Sequence, residues 1–519
     1  MVTSAKETRG GQAVVILALV NAGIMLLRFS EQCILARALG AGEKFDAYFI
    51  GQIVILLGGQ LAVAVTSAGV PALVEAGDDA PSATRRFFVT IAVALAVISA
   101  LTVLFSGSFV NAFGGKLDDQ SRLLTRHILL WLLPATDLYI LAAVLRAYWH
   151  AERRFLLPGI GQLFMPFCTC MGAVMLAAGF WSLTSAVAVA NVGIAALVLL
   201  LAVPLWPSSP KSTIRSVGNV PALTRRFWTS LLPVSIGLAV MPGMVAVARI
   251  YSSHLLSGSV TAISLASSVG SIPAQFAAAS VGVVLLSQTA VLKAAGRNRE
   301  GARIIERALC NTAFVVIPSA IILALFSRLI VEVVFLRGAF DKTAVGITTS
   351  ALSVYSFGVP FQAAVQVLTF ALFAFAGSRQ VAITAAATLG ANILLSSLLL
   401  GWGVPGLASA FSLSSFLDCA VLIYLLSKAL PELEVWPMLI RHFRILVFSL
   451  ISGAAANLAV SNLLLNRSGL RLAIALLVAG SVYVGAGLLF SLTELQEIVG
   501  TVRSRVSRYR QAEALGVAE

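Results

Sequence analysis

The chain has 519 residues, of which 59% are hydrophobic and 11% are charged, and its formal net charge at pH 7 is +14. Soluble domains carry about 25% charged residues, so this composition excludes a soluble enzyme, a disordered protein and a disulfide-rich secreted module. Apolar stretches recur along the whole chain, and many of them reach the roughly 20 residues that a helix needs to cross a bilayer. The class that remains is an all-α polytopic membrane protein.

Hydropathy predicts about fourteen transmembrane helices. No stretch alternates strictly between apolar and polar residues, as a membrane β-strand would. The predicted spans are residues 12–36, 45–75, 87–113, 124–149, 156–180, 183–206, 226–251, 260–292, 306–331, 344–376, 379–401, 404–428, 440–464 and 470–496. Several of these are longer than a single perpendicular crossing requires, so we expect those helices to be tilted or kinked.

A polar linker at residues 207–225 divides the spans into two sets of six, with two more at the end. We predict an N-terminal bundle at 1–206, a C-terminal bundle at 226–428, two additional helices at 437–497 and a basic tail at 498–519. Leu104-Phe105-Ser106 and Leu325-Phe326-Ser327 occupy corresponding places in the two halves. Pseudo-symmetric halves are a transporter design with a substrate cavity between them, although chance similarity between apolar helices remains open.

Loop charge predicts the orientation. With an even number of spans, 23 Lys and Arg residues fall on the side of the two termini and 10 fall on the other side. Positive charge accumulates in cytoplasmic loops, so we expect both termini to be cytoplasmic. The positive net charge then favours contact with anionic membrane lipids and not with nucleic acid.

The sequence offers little for catalysis. All five cysteines lie within predicted spans, far from the four histidines, so we expect no metal site. Gly114-Gly115-Lys116 lacks the spacing and the Ser or Thr of a phosphate-binding loop. We therefore expect a protein that is not an enzyme and that uses no cofactor.

Charged residues inside the spans are the candidates for function, because each costs at least about 2.5–3.5 kcal/mol to insert. Arg28 and Glu31 lie three residues apart on one face of the first helix, where they either neutralise each other or line a hydrated cavity. Asp46 opens the second span and is either a cavity residue or a helix cap.

Four more charges lie deeper in the chain. Asp137 and Arg146 share the fourth span, and Arg249 closes the seventh. Both arginines lie near helix ends and could extend to the membrane surface. Asp418 lies in the twelfth span with apolar sequence on both sides, so an interfacial position does not explain it.

The segment LARALGAGEKFDAYFIG at residues 35–51 resembles the signature between the first two helices of the MurJ/MviN family. Further matches follow in the same order along nearly the whole chain: Val70-Pro71, Arg154-Phe155, Pro158, Pro273, Ile317-Pro318-Ser319-Ala320, Phe335-Leu336-Arg337-Gly338-Ala339-Phe340 and Gly406-Leu407-Ala408. The family belongs to the multidrug/oligosaccharidyl-lipid/polysaccharide exporter superfamily. The resemblance implies a flippase for an undecaprenyl-diphosphate-linked saccharide, such as the peptidoglycan precursor lipid II.

The sequence departs from the family at the arginines that are thought to hold the diphosphate. Those positions align with Met25, Glu31, Gly59, Gln60 and Ser268. Asp46 is kept, and Arg28, Arg146 and Arg249 are the basic residues that this chain has instead. Since a diphosphate needs cationic partners in a low-dielectric site, these three arginines are the available ones.

We therefore predict an alternating-access flippase of the bacterial cytoplasmic membrane that moves a polyprenyl-diphosphate-linked saccharide outward. Membrane potential, a proton or sodium remain open as the driving force. The alternatives are an exopolysaccharide or O-antigen repeat-unit flippase, a cation-coupled drug antiporter, and a scaffold that does not transport. The site is predicted from seven charged residues. Substrate-binding roles are predicted for Arg28, Glu31, Asp46, Arg146 and Arg249, and ion-coupling roles for Asp46, Asp137 and Asp418.

Overall fold

The computed structural model describes residues 2–202, 220–375, 377–462 and 467–490. Within these ranges every regular element is helical. Most of the predicted 207–225 linker and the whole 498–519 tail lie outside the described residues, so their predicted roles stay predictions.

Twenty-one α-helices follow one another along the described chain. They are α1 (Val2–Leu39), α2 (Glu43–Gly51), α3 (Ile53–Ala76), α4 (Ala80–Leu104), α5 (Ser106–Phe113), α6 (Asp119–Ala151), α7 (Leu156–Gly161), α8 (Phe164–Ala177), α9 (Leu183–Ala188), α10 (Ala190–Leu201), α11 (Val220–Ser252), α12 (Ser259–Gly270), α13 (Ile272–Ala294), α14 (Asn298–Leu325), α15 (Ser327–Phe335), α16 (Lys342–Tyr355), α17 (Val359–Phe375), α18 (Ser378–Leu399), α19 (Gly403–Ala429), α20 (Val435–Ser461) and α21 (Ser468–Leu489).

The prediction of an all-α polytopic membrane protein is confirmed. The described residues contain 12 helical stretches that are long and apolar enough to cross a membrane. Two of them, Glu43–Leu104 with 62 residues and Arg379–Ala429 with 51, exceed the length of a single crossing. A crossing takes about 20 residues, so each of these two stretches has the length for two crossings. The count of fourteen stays a prediction.

Several predicted spans are interrupted in the structure. The span predicted at 45–75 breaks at Gln52, between α2 and α3, and the one predicted at 87–113 breaks at Phe105, between α4 and α5. The span predicted at 344–376 is divided by a 3₁₀ turn at Ser356–Gly358. Each break frees backbone groups that a continuous helix would pair internally.

The helices group into two compact units, and the first comprises residues 1–269, 334–351 and 377–418. Its centre is the pair α3 and α6, with α11 packed against α3 and α18. The ring of Phe87 on α4 stacks on Phe227 of α11 at 4.6 Å between centroids. The predicted division into halves at residues 207–225 stays a prediction.

Glycines on α3 let α6 approach closely. A methyl group on Gly58 would collide with the side chain of Thr136, and one on Gly69 would lie 2.9 Å from Cβ of Ala147. Small residues serve this purpose in membrane helices, where association depends on van der Waals packing and not on hydrophobic burial. The contact holds α6, which carries two of the predicted site residues, at a fixed distance from α3.

The second unit comprises residues 270–333, 352–376 and 419–519, of which the described part is helical. Its helices α13, α14 and α17 pack together, and α20 packs on both α14 and α21. Phe314, Ile445 and Tyr483 lie in one apolar cluster, where the Tyr483 hydroxyl donates a hydrogen bond to the Phe314 carbonyl at 3.0 Å. Helices α20 and α21 lie in the region predicted to hold two additional transmembrane helices, and the division of the chain into these domains stays a prediction.

Candidate functional site

Arg249 lies at the end of α11 against the short helix α2. Its side chain is 6% exposed, so it does not extend to the membrane surface. Nη1 donates to the Phe49 carbonyl at 2.9 Å, and the guanidinium carbon lies 4.9 Å from the centroid of the Phe49 ring. That carbonyl belongs to the last turn of α2, where the break at Gln52 leaves it available. Nε of Arg249 is buried without a hydrogen-bond partner.

Glu31 on α1 connects two other helices. Oε1 accepts a hydrogen bond from the Tyr48 hydroxyl of α2 at 2.6 Å, and Oε2 accepts one from the Thr169 hydroxyl of α8 at 2.7 Å. The charge of Arg28 acts on Glu31, and the charges of both Arg28 and Arg249 act on Tyr48. Among the described side chains, Arg28 and Glu31 form no direct ion pair. Mutual neutralisation and a hydrated cavity both stay predictions for their role.

Arg146 on α6 is the third cation of this region. It is 5% exposed, and its guanidinium carbon lies 5.0 Å from the centroid of the Tyr139 ring, two turns earlier on the same helix. The charges of Arg146 and Arg28 both act on Tyr139. Nε and Nη2 of Arg146 are buried without hydrogen-bond partners. Arg146, like Arg249, therefore does not extend to the membrane surface.

Contacts group Arg146, Arg249 and Glu31 with Tyr48 and Tyr139 in the first unit, and the exposed Arg28 joins them through the action of its charge on Glu31, Tyr48 and Tyr139. We call these six residues the arginine cluster. Charged groups in the membrane interior are normally paired, whereas nitrogens of two of these guanidinium groups have no partner. An arrangement of this kind provides charge-assisted donors to an anion.

Asp46 is bound to a helix other than its own. It is 2% exposed, and Gly42, not Asp46, is the N-cap residue of α2. Oδ2 accepts from the Gly258 amide at 2.7 Å, while Oδ1 accepts from the amide and the hydroxyl of Thr261 at 2.7 and 2.6 Å. Asp46 therefore caps the N-terminus of α12, where a carboxylate is stabilised by free N–H groups and the helix dipole.

The other two acidic candidates, Asp137 and Asp418, make their hydrogen bonds with residues outside the arginine cluster. Asp137 on α6 accepts from the Ser99 hydroxyl of α4 at 2.6 Å and is half-buried. Asp418 on α19 is 3% exposed and accepts from the Thr388 hydroxyl of α18 at 2.9 Å. The substrate-binding and ion-coupling roles of all these residues stay predictions.

Asp418 lies among buried polar residues of α18 and α19. Asn392 is 1% exposed and donates to the Ser414 hydroxyl at 3.1 Å, and its Oδ1 has no hydrogen-bond partner. The hydroxyl of Ser415, which is fully buried, also lacks a partner. Within the described ranges, no group of three or more His, Cys, Asp and Glu side chains has the arrangement of a metal site.

Three residues of this region were not identified from the sequence. Tyr48 lies within the DAYF segment that carries the family resemblance, and Tyr139 precedes Arg146 by seven residues, or two helical turns, on one face. The motif position of Tyr48 and the spacing of Tyr139 from Arg146 are features of the sequence that could have identified these two residues. Thr169 has no such signal, because its contact with Glu31 joins residues 138 positions apart.

Comparison with known proteins gives a consistent result. A family model described as "Lipid II flippase MurJ" matches residues 35–474. A probable lipid II flippase MurJ of Bdellovibrio bacteriovorus is 23% identical over 293 residues, which is 54% of this chain and 56% of the relative. One of Thermotoga maritima is 23% identical over 479 residues, which is 90% of this chain and 93% of the relative. This chain spans little more than half the length of the first of these relatives.

A solved structure supports the fold independently. The structure titled "Lipid II flippase MurJ, inward closed conformation" superposes with a TM-score of 0.77 at 20% identity, covering 93% of this chain and 100% of the other. At this level of identity, the likeness establishes the fold alone.

Proposed function

The chain belongs to the family of the lipid II flippase MurJ, and we propose that it moves an undecaprenyl-diphosphate-linked saccharide, lipid II or a related peptidoglycan precursor, from the inner to the outer leaflet. The protein is a polytopic membrane protein, and we place it in the bacterial cytoplasmic membrane with both termini cytoplasmic. It works by alternating access of its two predicted six-helix halves, and it makes or breaks no covalent bond.

The observation that carries this proposal is the arginine cluster. Arg146 and Arg249 are 5% and 6% exposed, and guanidinium nitrogens of both have no hydrogen-bond partner. Leaving such a donor buried costs about 1–3 kcal/mol or more, so the cluster favours an anionic ligand that supplies the missing acceptors. A diphosphate has several acceptor oxygens, and guanidinium groups bind phosphate oxygens in pairs.

The cluster also supplies positive charges in place of the family arginines that this chain lacks. The chain has Met25, Gly59, Gln60 and Ser268 where the resemblance leads one to expect arginines. The saccharide-diphosphate head binds at the arginine cluster, while the polyprenyl tail remains in lipid. Outward movement of an anionic head is favoured by about 2.3 kcal/mol per charge per 100 mV of membrane potential.

A coupling cation, if one is used, binds near Asp418. Asp46 already accepts three hydrogen bonds and Asp137 has one serine partner. Asp418 has one threonine partner, Thr388, and the unpartnered oxygens of Asn392 and Ser415 belong to residues about one helical turn from Thr388 and from Asp418. Oxygen atoms are the preferred ligands of hard cations. Replacing external and internal sodium by choline at a fixed membrane potential should then slow transport, and Asp418→Asn should remove this dependence. Equal rates in both salts would leave the proton or the potential alone as the driving force.

Arg146→Met tests the proposed substrate site, because it separates stability from transport. Met fills a similar volume and removes a buried, partly unpaired charge, so stability should stay the same or rise by about 1 kcal/mol. Transport of lipid II into proteoliposomes should fall about ten- to a hundredfold, since a charge-assisted contact is worth about 1.5–3 kcal/mol.

The matched control is Arg86→Met, which removes an exposed arginine near the start of α4. It should change neither property. Transport by Arg146→Met at the wild-type rate, with normal insertion, would show that this arginine is structural. Failure of the wild-type protein to move lipid II, combined with transport of an exopolysaccharide lipid, would overturn the proposed cargo.

A further inference from the structure

The arginine cluster contains one carboxylate that is close to its arginines without being paired to them. The two oxygens of Glu31 accept hydrogen bonds from the hydroxyls of Tyr48 and Thr169 at 2.6 and 2.7 Å. Thr169 Oγ1 also lies 3.2 Å from the Pro166 carbonyl, but its contact with Glu31 is the shorter one. The two hydrogen bonds and the charge of Arg28 favour the ionised form of this carboxylate.

Glu31 has no close cation among the side chains that the structure describes. No Lys, Arg or His nitrogen there comes within 4.0 Å of its oxygens, although the charge of Arg28 acts on it. The hydroxyls of Tyr48 and Thr169 hold the carboxylate in place, and the guanidinium groups stay available to a ligand. Glu31 therefore lowers the positive potential of the cluster without occupying its donors.

The charges that act on Tyr48 and Tyr139 are three arginines and this one glutamate. The cluster thus carries a net charge of about +2 in a medium where an uncompensated charge is costly. A diphosphate that joins a polyprenyl chain to a sugar is substituted at both phosphates and carries about two negative charges. An unsubstituted polyprenyl diphosphate keeps a terminal phosphate whose further ionisation lies near pH 6, so it carries about three.

We propose that Glu31 is a specificity-determining residue that matches the cluster to a sugar-linked diphosphate and disfavours the unsubstituted polyprenyl diphosphate. This inference rests on the proposed function and extends it to the charge of the accepted head group. The unsubstituted lipid is what remains when a glycosyl transfer removes the sugar, so this selection keeps the spent carrier from competing with loaded cargo.

The experiment measures binding and not transport. Purified protein in detergent is titrated with undecaprenyl diphosphate and with its saccharide-linked form, and bound lipid is counted by native mass spectrometry. The wild-type protein should prefer the saccharide-linked lipid. Glu31→Gln keeps the size of the side chain and an acceptor oxygen but removes the charge. It should reduce that preference about tenfold, mainly by strengthening binding of the unsubstituted lipid, as expected for one unit charge a few ångströms away.

Three variants separate charge from structure. Glu31→Asp keeps the charge and should keep the preference. Glu152→Gln removes one negative charge at the exposed end of α6 and should leave the preference unchanged. Thr169→Val removes one hydrogen bond of Glu31 without altering its charge and should weaken or spare both lipids alike.

Three outcomes overturn the inference. If the wild type binds the saccharide-linked lipid and Glu31→Gln keeps the same preference, head-group selection does not depend on Glu31, and the proposed function stands. If the wild type binds neither lipid, the proposed function falls and this inference falls with it. A preference that Glu31→Asp loses as fully as Glu31→Gln would likewise overturn the argument from charge.

Discussion

Among the carboxylate-to-amide substitutions, Asp46→Asn should destabilise the protein most. The carboxylate accepts from the Gly258 amide and from the amide and hydroxyl of Thr261, all at 2.6–2.7 Å, and it is 2% exposed. In the most favourable rotamer, the Asn oxygen keeps both Thr261 contacts. The Asn amino group then faces the Gly258 N–H, so a donor meets a donor.

The cost follows from these contacts. One charge-assisted hydrogen bond is lost, which is worth about 1.5–3 kcal/mol, and the buried Gly258 N–H is left unpaired, which costs about 1–3 kcal/mol. The negative charge at the N-terminus of α12 disappears as well. Since such contributions overlap, we expect Asp46→Asn to lower the free energy of unfolding by about 3–5 kcal/mol.

Thermal denaturation in detergent measures this loss, with a thiol-reactive fluorophore reporting exposure of the five native cysteines. The matched control is Glu43→Gln, which removes the same charge from an exposed position one turn earlier on α2. This control should change stability by no more than about 0.5 kcal/mol. If Asp46→Asn denatures at the same temperature as the wild type, the N–H and O–H donors of Gly258 and Thr261 do not depend on the carboxylate, and the capping argument is incorrect.

Two further predictions concern packing and topology. Gly58→Ala should destabilise the protein by about 1–2 kcal/mol because its methyl group would collide with Thr136. The control Gly59→Ala should be neutral or slightly stabilising, since the nearest atom to its methyl group lies at 3.9 Å. The same thermal assay compares the two variants, and equal denaturation midpoints would contradict the packing argument. Single cysteines at residues 212 and 519 should resist labelling from outside intact cells while one at residue 401 should react, and the reverse pattern would show that the loop-charge excess misplaces the termini.

Hydropathy predicted the helical membrane fold because it reports which segments are buried in lipid. It did not predict where helices break, since residues on either side of a break are equally apolar. The break at Gln52 illustrates this, because it lies within the apolar run FIGQIVILL. Its consequence is tertiary: the Phe49 carbonyl becomes the acceptor of Arg249.

The charges of the candidate site were recognisable because charges inside a membrane are rare and costly. Their partners were not, because each contact joins helices that are distant in sequence. Asp46 shows the limit most clearly: capping was one of its two expected roles, but the helix that it caps begins more than 200 residues later. Neither periodicity nor composition identifies such a partner.

Helix α2 carries contacts to both the arginine cluster and α12 within nine residues. Asp46 binds the amides at the start of α12, and the Phe49 carbonyl binds Arg249 at the end of α11. The turn between α11 and α12 is thus held on α2 from both sides: the Asp46 carboxylate binds the start of α12, and the Phe49 carbonyl binds Arg249 at the end of α11. A ligand that takes up the unpartnered Nε of Arg249 leaves the Nη1 bond to Phe49 intact. An anion can therefore bind at the cluster while the hydrogen bonds of Asp46 and Phe49 continue to hold this turn on α2.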